Sequence, residues 1–363
     1  MARIFHDGFE TGRPTGTTTS AYNNSMWITH RSDRGRTTVQ SSIKKSGSRA
    51  LRGYRDAAVW QHGRLSRDLG ASLAEHYGRT ELYVDSVSPT SQVIVFHDSE
   101  GSLVGDIRVG LSGGLVSLSL YINDVVVATA ADAFSQNTWV RIEWRLKVAT
   151  VDGVFELKRN GDVVASYTGN TQQGNEPNVR TVSLGRVTNS FTYNIYWDDF
   201  AINNTTGTVN NSWVGPGSIL LLRPKGPGNY TQWTPDSGNN FARVNEIPET
   251  GDSAYIESDT ADQIDTYEMQ TLADLGVDTS DPSFSIKAVQ HLMIGRWEEA
   301  ETELARVLRL GTTDNTGVAV TLSNTYYRYW DEMFDVNPFD SQPWELADLN
   351  SLEAGIKHIA ASP

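Results

Sequence analysis

Four groups of side chains in this sequence have types and spacings that could do chemistry. Glu257 and Asp259, with Asp262 three residues on, come first, because alternate residues of one strand share a face and two carboxyl groups held about 5 Å apart can act as nucleophile and acid/base on a glycosidic bond. They lie in an acidic run with Glu249, Asp252 and Asp265, a pattern that a solvated face also produces. Asp198-Asp199 and Asp98-Ser99-Glu100-Gly101 offer oxygen ligands of the kind calcium takes. Acids in turns are far commoner than calcium sites, so no cofactor is expected and calcium is the one candidate. Trp27, Trp60, Tyr193 and Tyr196 could stack on sugar rings, with burial in a core as the competing fate. Arg31, Arg34 and Arg36 open a basic stretch that continues through Lys44, Lys45, Arg49, Arg52 and Arg55. It suits an acidic neighbour, or the solvated ends of strands. The seven histidines are scattered, with no Ser or Cys nucleophile motif beside them. No phosphate loop or dinucleotide fingerprint occurs. The expectation from these residues is a protein that is not an enzyme.

The elements that would position these groups are mostly strands. Glu81–Val84, Gln92–Phe96, Val116–Tyr121, Trp139–Trp144 and Val154–Leu157 each alternate, which puts one apolar face inward. Asn123-Asp124 and Asn160-Gly161-Asp162 lie between such runs, where Asn and Gly tolerate the positive φ of tight hairpins. Thr11 to Ser25 is rich in Gly, Thr and Asn without periodicity and reads as a loop or arm. Small polar residues with Gly and Pro from about 203 to 218 mark a linker. Trp297, Ala300, Leu304, Val307 and Leu308 have helical spacing, with acids early and arginines late. The same region also reads as two strands, near 286–294 and 304–310. Pro343 to Asn350 predicts a short helix with Pro in its first turn and Gly355 at its end.

A chain of 363 residues is long enough for two domains. Its 31 glycines, 14 tyrosines and 10 tryptophans favour strands and turns. Without cysteine there is no disulfide and no thiolate metal site. Residues 1–206 carry 21 basic against 20 acidic side chains and residues 207–363 carry 9 against 24, so the second part holds the net charge of −15. Such a surface repels nucleic acid. The opening MARIFHDGFETG lacks the apolar core of a secretion signal and no stretch reaches the length of a membrane span, so a chain made in the cytosol and away from membranes is expected.

Two segments resemble known families. Phe5-His6-Asp7-Gly8-Phe9-Glu10-Thr11-Gly12 with Ile195-Tyr196-Trp197-Asp198-Asp199-Phe200-Ala201 resembles the concanavalin A-like jelly roll of laminin-G and related domains, over residues 1 to about 204. That resemblance implies pairing of the first and last strands. Some concanavalin A-like folds are family 16 glycoside hydrolases, whose Glu-x-Asp-x-x-Glu pattern is met here only by Glu257-x-Asp259-x-x-Asp262, outside the jelly-roll span. The remainder, through Leu221-Leu222-Arg223-Pro224-Lys225-Gly226, Trp233-Thr234-Pro235, Val244-Asn245-Glu246-Ile247-Pro248, Asp335-Val336-Asn337-Pro338 and Asn350-Ser351-Leu352-Glu353-Ala354-Gly355-Ile356, resembles a C-terminal domain of tailed-bacteriophage structural proteins. In that family residues 286–310 are strands. Together the resemblances imply an all-β protein of two β-sandwich, jelly-roll-like domains, 1–206 and 207–363, with a short C-terminal helix. They imply a homo-oligomeric component of a virion assembled in the bacterial host cytoplasm, with other virion proteins as partners and a host-surface glycan as ligand. Tail or fibre placement is favoured over a head decoration protein, with a glycan-cleaving enzyme as the third reading.

Overall fold

The computed structural model describes residues 2–12, 22–23, 26–31, 36–55, 63–186, 193–298, 301–322 and 327–360. The chain forms two compact units: residues 1–15 with 27–220, and residues 16–26 with 221–363. It is nearly all β, at 55% strand against 5% helix, as the alternating runs require.

The strands up to the linker are β1 (Arg3–Asp7), β2 (Tyr22–Asn23), β3 (Ile28–Arg31), β4 (Arg36–Gln40), β5 (Ala50–Arg55), β6 (Gly63–Leu73), β7 (Glu75–Val87), β8 (Thr90–His97), β9 (Leu103–Ser112), β10 (Leu115–Ile122), β11 (Val125–Ser135), β12 (Trp139–Lys147), β13 (Gly153–Arg159), β14 (Asp162–Gly169), β15 (Val179–Arg186) and β16 (Tyr193–Asn204). All but β2 build the first unit. One sheet runs β14-β13-β12-β7-β16-β5-β4, with β1 also on β16, and the other runs β11-β10-β9-β8-β15-β6-β3. The opening and closing strands pair, Arg3 with Asn203, Phe5 with Ile202 and Asp7 with Phe200. β16 has three partners, β7 along one edge and, along the other, β5 at Tyr193–Trp197 and β1 at Phe200–Asn203.

The apolar positions of both sheets meet in one core. Phe5, Phe9, Trp27, Phe96, Trp144, Phe155, Trp197 and Phe200 are each at most 1% exposed. Trp27 meets Phe5 edge-on at 5.2 Å, and Phe96 meets Phe155 at 5.8 Å. Each such ring removes enough apolar area from water to contribute about 1.5–3 kcal/mol. Trp144 fits only because its cross-strand partner is Gly78, where a Cβ would lie 1.9 Å from the indole.

The second unit adds β17 (Pro224–Thr231), β18 (Thr234–Pro235), α1 (Asn240–Arg243), β19 (Ile256–Glu257), β20 (Ile264–Met269), β21 (Val289–Gly295), β22 (Thr302–Leu310), β23 (Thr313–Thr316), β24 (Val320–Thr321), β25 (Tyr327–Phe334), α2 (Leu346–Ser351) and β26 (Leu352–Ala360). Its main sheet runs β17-β20-β26-β22-β23 with β24 on β22, and β2-β25-β21 form a second. Met293, Leu304 and Leu322 form a small core under Trp233, Trp297, Trp330 and Ile356.

Two local readings from sequence are decided here. Of the two readings of 297–310 the strand implied by the resemblance holds, and the helical spacing produces no helix: Thr302–Leu310 is a strand. Leu304 to Leu308 are all buried, between β26 and the β23/β24 edge. Burial on both faces erases the period-2 signal and leaves an apolar run that mimics a helix. The other strand read in this region, β21, pairs with β25. Gly355 does not end α2. It lies within β26, where a Cβ would stand 1.9 Å from the Asp265 carbonyl oxygen.

Candidate functional site

The face of the β14-to-β4 sheet turned away from the core carries the candidate site. Trp139 pairs with Tyr83, Tyr83 with Tyr196, Tyr196 with Arg52, and Arg52 with Thr38. These five residues therefore form one row across β12, β7, β16, β5 and β4. With strands about 4.8 Å apart the row is about 19 Å long. Alternation dictates the facing: Ile142, Leu82, Trp197 and Leu51, all at 0% exposure, point into the core from the same strands.

The row is held in place by ring contacts and a short polar chain. Tyr83 lies 5.5 Å from both Trp139 and Tyr196, edge-on to the latter. The Arg52 guanidinium sits 4.4 Å from the Tyr54 ring and 5.8 Å from the Tyr196 ring. Its Nε donates to Asn194 Oδ1 at 2.8 Å, and Asn194 Nδ2 donates to the Asp85 carboxylate. Trp139, Tyr83, Arg52, Tyr54, Asn194 and Asp85 are all half-buried, so the platform keeps solvent contact while its rotamers are fixed. Burial, then the neighbouring Asp85, raises the Tyr83 hydroxyl pKa.

The adjoining rows of the same face are closed over. Glu10 accepts from the Ser48 and Arg49 amides, and Asp198 Oδ2 accepts from Lys45 N at 2.8 Å and Ser46 N at 3.1 Å. Asp199 Oδ1 takes Ser46 Oγ and Ile219 N, Glu143 takes Gly215 N, and Arg79 donates to the Gly217 carbonyl. The turn at 45–49 and the segment 215–219 are thereby fastened over Arg79, Glu81, Glu143, Asp198 and Asp199, each at most 6% exposed. Burial, then the charge of Asp199, pushes Asp198 up to about 8. Burial also raises Glu10, Glu81 and Asp199.

The outward face of the other sheet is polar too. Asp106 is fully buried beneath Arg108, which binds it at 2.5 and 2.9 Å and lies 3.8 Å over the Tyr121 ring. Burial raises Asp106, against the Arg108 hydrogen bonds and charge and a bond from Gln92. Ser66 and Ser183, paired across strands, share a hydrogen bond of 2.8 Å.

The residues singled out from sequence fall in different places. Tyr196 is in the platform row, 5% exposed. Trp27 is in the core, where its indole N–H donates to Asp7 at 2.6 Å. Tyr193 is 2% exposed, with its ring against Gly53. Trp60 and Arg34 lie outside the described residues, and Arg31 and Arg36 are described only as backbone of β3 and β4. Asp198 and Asp199 are adjacent and buried, but their oxygens face N–H and O–H donors. Asp98 likewise accepts from the amides of Glu100, Ser102 and Glu176. Among the described residues no three His, Cys, Asp or Glu side chains gather as a cation cage. Of the acidic trio only Glu257 is in a strand; Asp262 is paired with Lys357 at 2.6 Å, and all three are exposed. Trp139, Tyr83 and Arg52 were not singled out as ligand residues. Their outward alternation was readable, their common row was not.

No family model matches this chain, and no curated protein matches it. Solved structures do. The cellulose-induced protein Cip1 is 16% identical with a TM-score of 0.42, covering 59% of this chain and 100% of its own. Alginate lyase vAL-1 from Chlorella virus is 14% identical with a TM-score of 0.36, covering 47% and 89%. An endo-1,3-beta-glucanase from Streptomyces sioyaensis is 10% identical with a TM-score of 0.38, covering 56% and 95%. The expectation of a protein that is not an enzyme is therefore withdrawn, because two of these three β-sandwiches are glycan-cleaving enzymes. At such identities the likeness is one of fold: this chain is similar to concanavalin-like, jelly-roll β-sandwiches.

Proposed function

We propose that the first unit binds a glycan along the row Trp139–Tyr83–Tyr196–Arg52–Thr38, and that the chain is a homo-oligomeric component of a tailed-bacteriophage particle, carried on the tail or its fibres. The observation that carries the glycan reading is the row itself. Three aromatic side chains and one guanidinium stand in register, half-open to solvent along most of their length, with Asn194 and Asp85 beside them as hydrogen-bonding groups. Sugar rings present apolar C–H faces to aromatic rings and hydroxyls to planar polar groups, the combination this row offers. The virion placement rests on the resemblance of residues 207–360 to phage structural domains, and the contact with neighbouring virion proteins on Arg31, Arg34 and Arg36.

Two experiments test the reading. The full-length chain is applied to an immobilised panel of bacterial surface glycans, beside Trp139→Ala and Tyr83→Ala. Each truncation is expected to weaken binding about tenfold, the equivalent of about 1.4 kcal/mol; unchanged binding by both would remove the platform. Immunogold labelling of particles is expected to mark tails, and label confined to capsid faces would remove the tail placement.

A further inference from the structure

Among the described residues five arginines of the first unit have acidic partners, Arg180 with Asp68 being one such pair. Arg79 meets Glu81 and Asp199, Arg108 meets Asp106, Arg141 meets Glu143, and Arg145 meets Glu75. Arg52 differs. Its Nε is taken by the neutral Asn194 carbonyl and its Cζ lies 4.4 Å from the Tyr54 ring centre and 5.8 Å from that of Tyr196, yet its two Nη groups have neither acid nor acceptor among the described residues. Asn194 stands between Arg52 and Asp85, spending one end on each, so Asp85 is linked to the guanidinium through Asn194 rather than paired with it. A guanidinium fixed by one hydrogen bond and two rings, with its terminal N–H groups open, is pre-organised for a planar, bidentate acceptor.

Resting on the glycan reading above, we propose that the ligand is an acidic glycan, and that Arg52 takes the carboxylate of a uronic or similar acidic sugar whose neighbouring rings lie on Tyr83 and Trp139, with Tyr196 buried between Tyr83 and Arg52 as support. The geometry also gives a polarity. The acidic residue sits at the Arg52 end of the row, next to Thr38, and neutral or hydroxyl-only contact falls at the Trp139 end. Arg141, the other guanidinium near that end, is already engaged by Glu143 at 2.9 Å.

The test uses the full chain and a panel of acidic polysaccharides, each paired with its own carboxyl-reduced form, together with neutral glycans. The expected result is binding to at least one acidic glycan at least tenfold tighter than to its reduced counterpart. Arg52→Gln lowers affinity for the acidic form by a larger factor than affinity for the reduced form and so abolishes that preference. Arg52→Lys, which keeps the charge but not the fork, retains only part of it. Equal affinity for acidic and reduced forms, or binding to neutral glycans alone, overturns the acidic ligand and leaves the glycan site standing. So does a preference that survives in Arg52→Gln. Absence of binding to any member of the panel overturns both.

Discussion

His76 gives this fold a sensitivity to acid that can be worked out from its surroundings. The side chain is fully buried between the sheets, 5.3 Å from Phe96, and its Nε2 accepts the indole N–H of Trp144 at 3.2 Å. The proton of the neutral ring is therefore on Nδ1. A second proton would put two N–H groups face to face and leave a charge in the core, so burial lowers the pKa from 6.5 to about 3. Below pH 6.5 the unfolded chain binds a proton that the native state refuses, and stability falls as pH falls until about 3. At pH 4.5 the loss is 2.0 units times 1.36, about 2.7 kcal/mol. His76→Gln keeps an acceptor for Trp144 and removes the titration. Urea unfolding followed by tryptophan fluorescence at pH 7 and pH 4.5 should show the wild type losing about 2.7 kcal/mol more than the variant. Equal losses in the two proteins would refute the burial argument.

Asp198 acts in the opposite sense. Its raised pKa, about 8, means that its protonated form is favoured on folding, so its contribution is full below about 4 and is lost as pH rises through 8. Asp198→Asn should flatten the stability change between pH 6.5 and 8.5, where His76 is silent; an unaltered slope there would discard the assignment. Gly78→Ala should destabilise the first unit, and Gly355→Ala the second, by about 1–3 kcal/mol or more, because each Cβ would meet fixed atoms at 1.9 Å. Thermal unfolding with probes in each unit checks both, and a shift below a few tenths of a kcal/mol in either would show that the backbone yields. Tyr54→Ala, which removes one face of the Arg52 stack, should reduce acidic-glycan affinity severalfold with the melting temperature unchanged; full affinity in that variant would show that Arg52 needs no aromatic support.

The all-β class and the facing of each strand were legible in the sequence, because side chains alternate with a period of two regardless of what the strand pairs with. The runs at Glu81–Val84 and Trp139–Trp144 thus announced Tyr83 and Trp139 as opposite in facing to Leu82 and Val140. The short helix at Leu346–Ser351 was announced by its local composition, and the pairing of β1 with β16 by the motifs at both ends. Where a strand is buried on both faces, as β22 is, the alternation vanished and the sequence was ambiguous. The candidate site was not legible. Its row draws on β4, β5, β7, β12 and β16, and which residue stands opposite which is set by hydrogen-bond register between segments up to about 150 residues apart, not by anything local to them. The same closure put Trp27 and Tyr193 in the core and left Tyr196 in the row, because only the packed sandwich decides which face of each strand meets the other sheet.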